Sequence, residues 1–274
     1  SRYVSIYVQH SLIAMPNGNY QSRLTDHRMG YFAEQVTDLT DDSPTPYRDL
    51  IERWHLVKRD PEATISEPVE PITWWIENTT PLEFRDAIRE GVLAWNHSFD
   101  KIGFRNALVV EVQPDDAEWN AGDIRYNVLR WTSSPNPPFS GYGPSFTNPR
   151  TGQILGADIM LEYAGVIRRV RYQQILDGLG VPGAELPTSL SGSQLGYCSF
   201  GYQMQLSQVF GRFAVKALGM DSALEEQVTQ EFLIDLVLHE VGHTLGFAHN
   251  FASSHMLGLD ESYDADAVSR SGLY

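Results

Sequence analysis

The sequence predicts an α+β fold in which a small strand-rich region, residues 1–66, precedes a larger domain, residues 67–274, built on a sheet and long helices. Three patterns predict it. Residues 3–14, 30–36 and 51–58 are rich in aromatic and β-branched side chains, and Asn17-Gly18 and the Asp-, Ser- and Pro-rich run 41–46 separate them, as turns separate short strands. Apolar residues then recur at three- and four-residue intervals at Phe84, Ile88, Val92, Trp95 and Phe99, which is helical spacing. The run 223–245 has no proline and no glycine before Gly242, and Val228, Phe232, Leu236 and Leu238 give it a near-helical apolar rhythm, so it reads as a long, largely buried helix.

Each remaining element has its own signal. The stretch between Pro68 and Pro71 closes the N-terminal region, and 72–77 is apolar enough for a buried strand. Thr80-Pro81-Leu82-Glu83 supplies a cap, a proline at the first helical position and a capping-box glutamate, which predicts one helix from there to Gly103. Residues 107–113 and 123–132 read as strands, the second alternating charged and apolar side chains as a half-exposed strand does. Residues 133–150 hold too many Pro, Gly and Ser for regular structure and read as a long loop, followed by a strand at 153–163. Arg168, Arg169 and Arg171 fit a solvated helix face, 178–196 a second loop and 199–218 a further helix. Ser222 and Glu225 form a capping-box pattern at the head of the long final helix.

With 274 residues, 42% of them hydrophobic, the chain can bury a substantial core. Its 20 Lys and Arg against 35 Asp and Glu give a net charge of −15, which argues against nucleic acid or an anionic membrane as partner, since both reward basic patches. No run reaches the ~18 apolar residues of a membrane span. The single cysteine, Cys198, excludes an internal disulfide, leaves the redox compartment open and reads as a small buried apolar residue. The chain starts at Ser1 without a basic-then-apolar leader, so a signal peptide, if one is encoded, is expected to have been removed or excluded. The oligomeric state has no sequence signal.

The chemistry lies in His239-Glu240-Val241-Gly242-His243-Thr244-Leu245-Gly246-Phe247-Ala248-His249. On a helix His239 and His243 stand four residues apart on one face, so both imidazoles can reach one zinc ion at about 2.0–2.1 Å. Glu240 follows directly, placed to accept a proton from metal-activated water without being a ligand itself. Gly246 can take a positive φ at low cost and end the helix, so that the chain doubles back and offers His249 as third ligand. Three protein ligands leave a fourth position open, as in catalytic rather than structural zinc sites. His10, His27, His55, His97 and His255 lack metal spacing, and His255 alone is near enough in sequence to compete with His249. Asp115, Asp116 and Glu118 lack the spaced ligands of a calcium loop, which leaves a calcium site unsupported and a turn the expectation.

The HExxHxxGxxH pattern of 239–249 is that of the metzincin metallopeptidases, and the longer run HEVGHTLGFAHNFASS resembles a bacterial family called the Met-zincin domain. The blocks 23–32, 53–72, 90–104 and 148–159 are similar to that family as well, without chemistry of their own. The resemblance implies a metzincin-like catalytic subdomain: a twisted mixed sheet of four or five strands, with the strand resembling 153–161 at its edge above the zinc, plus long helices including the zinc-binding one. It implies a zinc metalloendopeptidase acting on a peptide or protein substrate, with metal ligands His239, His243 and His249, catalytic Glu240, and an extracellular or periplasmic address. Metzincins also carry a methionine turn beneath the metal; here it is expected beyond Tyr274, with the domain truncated before it, or at Met256. Two other readings remain open: an inactive, metal-stabilised binding module, disfavoured because a structural zinc has no use for Glu240, and a zinc hydrolase of non-peptide amides or esters, which the same chemistry permits.

Overall fold

A computed structural model describes residues 5, 6, 8, 10–134, 141–162, 219, 222–250, 255–261, 264 and 266. The expectations for 163–218, among them the three arginines, the second loop, the helix over 199–218 and Cys198, lie outside the described residues. What is described is α+β: a mixed six-stranded sheet, a separate two-stranded ribbon and helices.

The ribbon comes first, as β1 (Ala33–Thr37) paired antiparallel with β2 (Tyr47–Ile51). Described residues between 5 and 14 form no strand, although their composition favours one. Strand propensity expresses itself only against a partner, and Leu12 there is 97% exposed.

The main sheet is built from β3 (Ile72–Ile76), β4 (Leu108–Val112), β5 (Asn127–Thr132), β6 (Gly141–Tyr142), β7 (Ser145–Thr147) and β8 (Ile154–Glu162). Its order is β4-β3-β5-β8-β6, with β7 also on β8. The first four strands in that order run parallel, and β6 and β7 return antiparallel along β8. This corrects two expectations. The stretch 133–150 is not all loop, and β8 is not the edge strand: β5 takes one side of it, and β6 and β7 take the other. Among the described residues the outermost segment is therefore 141–147, whose Gly and Pro mark a two-piece strand interrupted at Gly143-Pro144.

One face of the sheet carries the core. Trp74, Ile76, Leu129, Ile159 and Leu161 pack against two helices, α1 (Leu82–Leu93) and α3 (Ser222–Thr244), whose contributions include Ile88, Val92, Phe232, Leu233, Leu236 and Val237. The predicted helix from Thr80 to Gly103 is two helices, α1 and α2 (Asn96–Lys101), joined at Ala94 and Trp95. Its start also differs: Pro81 occupies the cap, no side chain caps the helix, and the buried Thr80 hydroxyl has no hydrogen-bond partner. Arg85 instead donates to the carbonyls of Thr80 and Asn78 at 2.9 and 2.8 Å. The opposite face of the sheet holds an aromatic cluster in which Trp119 stacks on Tyr126 at 3.9 Å and both meet Trp75 edge-on.

The two helices cross closely because residue 91 is glycine. A Cβ there would lie 2.7 Å from the carbonyl oxygen of Ile234 and 2.8 Å from Cβ of Val237. Alanine gains about 1 kcal/mol of helix propensity over glycine, but neither opposing atom can rotate away, so α1 and α3 must separate. Gly91→Ala is expected to destabilise the protein by about 1–3 kcal/mol, read in urea unfolding as a lower midpoint at unchanged slope. A stabilised variant would show that the helices have slack at this crossing.

Candidate metal centre

The end of α3 and the turn after it form the site. Behind the histidines the helix is firmly seated, with Phe232 at 2% exposure and Leu233, Leu236, Val237 and Val241 at 0%. The helix ends in a Schellman-type turn. Phe247 N–H donates to Gly242 O at 3.1 Å and Gly246 N–H to His243 O at 2.9 Å, while Gly246 has φ +100°. The indole N–H of Trp54 takes up the Thr244 carbonyl at 2.8 Å, and that of Trp95 takes Leu238 O at 2.9 Å. The last carbonyls of a helix, Thr244 among them, need such partners, and the two indoles tie the end of the helix to Trp54 and Trp95.

That turn brings His249 back beside His239 and His243. One ligand atom from each of the three lies within 4.8 Å of the others. The Nε2 atoms of His239 and His249 are 3.2 Å apart. Ligands of a tetrahedral zinc, each about 2.0–2.1 Å from the ion, stand about 3.3–3.4 Å from one another, so the donor set fits such an ion. The Nδ1 of His243 sits 2.8 Å from the Phe247 carbonyl, which fixes that ring and leaves Nε2 for the metal side, the second-sphere arrangement typical of ligating imidazoles. Among the described residues no other group of three or more His, Cys, Asp or Glu side chains converges in this way.

The electrostatics favour neutral rings. Burial lowers the pKa of His239 to about 3, with the neighbouring His243 and His249 adding to the effect. His243 is lowered too, again chiefly by burial. Neutral imidazole is the metal-binding form. Glu240 is 1% exposed, and burial raises its carboxyl to about 7. Its carboxylate lies against the outer segment of the sheet, where a Cβ on Gly141 would come within 2.6 Å of Glu240 Oε1.

The structure therefore gathers the three histidines at one place, with Glu240 next in the helix to His239 and buried against Gly141. His255, on an exposed turn, is not in the cluster, and Asp115 and Asp116 lie in an exposed turn away from it. Met256 is 52% exposed and does not form a buried floor beneath the histidines. Two contributors went unread in the sequence. One is Gly141, whose only signal was a glycine-rich run taken as loop. The other is the segment Gly30-Tyr31-Phe32, which pairs with the metal-centre turn: Phe32 N–H donates to Gly246 O at 2.8 Å and Ala248 N–H to Gly30 O at 3.1 Å.

Burial of Glu240 predicts a pH effect on the metal-free protein. The folded state holds this proton more tightly than the unfolded chain, so stability is lost as pH rises from 4.5 towards about 7. A rise of that size corresponds to about 3 kcal/mol. Chelator-treated Glu240→Gln is expected to be more stable than chelator-treated parent at pH 8, with the gap shrinking by pH 5, as read by thermal or urea unfolding. A gap independent of pH would contradict the burial of this charge.

No helix among the described residues is long and apolar enough to cross a membrane. No curated protein and no solved structure matches the chain. Residues 1–59 match a family described as a domain of unknown function. Residues 221–274, which carry α3, its three histidines and Glu240, match the Met-zincin family.

Proposed function

We propose that this protein is a zinc-dependent endopeptidase acting outside the cytoplasm, with His239, His243 and His249 as metal ligands and Glu240 as general base. The observation that carries the reading is the convergence of three imidazoles, with the buried carboxyl of Glu240 next in sequence to the first of them. A structural zinc site closes with a fourth protein ligand; among the described residues this cluster offers three, with an acid–base group next in the helix.

Zinc held by the three rings would supply Lewis-acid activation of a water molecule and of an acyl group. The rest is done by the chain. Glu240 takes a proton from the attacking water and returns it to the departing amine, a role suited to a carboxyl whose pKa in the metal-free protein is about 7. The missing side chain at Gly141 lets the backbone of the outer segment 141–147 run directly against Glu240. We take that extended segment as the guide along which a substrate peptide lies, since main-chain pairing holds a peptide without demanding a particular sequence. Localisation outside the cytoplasm and the peptide nature of the substrate rest on the Met-zincin likeness of residues 221–274.

Protein prepared without chelator is expected to hold close to one zinc per chain by elemental analysis, and His239→Ala/His243→Ala to hold none. Glu240→Gln should keep the zinc and lose at least about 10²-fold in peptide cleavage, the low end of what a positioned base contributes. Wild-type turnover in the Gln variant would remove Glu240 from the mechanism, and full zinc in the double variant would remove the ligand assignment. A zinc-loaded parent that cleaves simple esters or amides but no member of a broad peptide library would replace the peptidase reading with a non-peptide hydrolase.

A further inference from the structure

We infer that the N-terminal region is a working part of the metal centre: residues 30–32 clamp the turn that carries His249, so zinc affinity depends on a segment far from the zinc motif in sequence. The inference rests on the reading of the three histidines as zinc ligands, and it gives a role to a region otherwise matched by a family of unknown function.

His249 needs such a clamp. His239 and His243 are held by the helix, whereas His249 follows it on irregular chain and is exposed. The turn is pinned instead by the short antiparallel bridge of Tyr31 with Phe247, made by Phe32 N–H to Gly246 O and Ala248 N–H to Gly30 O. Gly30 lies so close that a Cβ on it would sit 3.2 Å from the carbonyl oxygen of His249 itself. The ring of Tyr31 stacks on Phe247 at 5.5 Å, and Phe247 also stacks on Trp95 at 5.7 Å. The Phe247 side chain thus contacts both an N-terminal ring and one from the α1–α2 junction, and its carbonyl is the partner of His243 Nδ1. The Phe32 ring, 5.6 Å from the His243 ring, adds a contact to the same ligand.

The clamp is itself anchored. Glu52 N–H, just after β2, donates to Phe32 O at 2.9 Å, and Glu34 in β1 accepts the Thr147 hydroxyl from the outer strand segment. Residues 30–34 therefore tie the metal-centre turn to the strand beside Glu240. Groups that orient ligands from behind typically change metal affinity by about 10–100-fold when removed. Tyr31 and Gly30 are positioning residues in this sense, since neither reaches the metal.

The test measures zinc dissociation constants by competition with a chromogenic chelator, alongside unfolding midpoints of the chelator-treated proteins. Gly30→Val, which pushes branched bulk against the His249 carbonyl, and Tyr31→Ala, which removes the stack on Phe247, are each expected to weaken zinc binding at least about tenfold. Tyr31→Phe keeps the ring and should bind within about twofold of the parent. So should Leu39→Ser, a change in the same region at a side chain that is 93% exposed. Both Gly30→Val and Tyr31→Ala binding zinc as tightly as the parent, whatever their unfolding midpoints, would overturn the clamp and leave the three-histidine centre standing. Should Gly30→Val fail to fold, Tyr31→Ala decides alone. A parent that binds no zinc would overturn both.

Discussion

Helix α3 approaches its neighbours at glycines: Gly91 of α1 opposite Ile234 and Val237, and Gly141 of the outer sheet segment opposite Glu240. The rest of the metal centre depends on that seating. Two imidazoles and a carboxyl at one helix end are costly to desolvate, and only a helix whose middle is locked into a core can hold them in place. Leu233, Leu236, Val237 and Val241 supply the lock at 0% exposure. Because the core is packed to this density, a small change of crossing distance at Gly91 would pass along a rigid helix to the histidines.

The second organising feature is that the turn after α3 is built by contacts from well-separated parts of the chain. The Gly246 conformation reverses the backbone, Trp54 and Trp95 take up helix carbonyls, and Gly30 and Phe32 pair with the returning strand. Local sequence supplies the reversal, while its exact direction comes from elsewhere. The parts of the chain matched at the two ends, 1–59 and 221–274, are thus in direct contact where the chemistry is proposed to occur.

This division explains what could be read from the sequence. The zinc motif was legible because its information is local: an i, i+4 pair, an adjacent acid and a glycine that ends the helix lie within eleven residues. The strands Ile72–Ile76, Leu108–Val112 and Ile154–Glu162 were legible for a similar reason, since each is rich in aliphatic or aromatic residues and buries at least every second position against the core. The strand at 141–147 was not. Its glycines report a close approach to Glu240 that only the folded chain creates, and in the sequence they look like breakers. The identity of the edge strand went wrong with it, because β8 was assigned an edge that β6 and β7 in fact cover. The break at Ala94 and Trp95 was hidden as well: the apolar rhythm continues through it, and Trp95 is turned to serve Leu238 of α3 and to stack on Phe247. The block 23–32 was noticed without its purpose, since pairing between Tyr31 and Phe247 leaves no pattern in either segment alone.

The proposed chemistry requires three imidazoles sharing one zinc with a fourth position open to water. Zinc K-edge X-ray absorption on the metal-loaded protein measures this directly. The prediction is a four-coordinate shell of nitrogen and oxygen at about 2.0–2.1 Å, with multiple-scattering features of three imidazoles and no sulfur. A sulfur contribution at about 2.3 Å, which Cys198 would have to provide, or a shell with fewer than three imidazoles would contradict it.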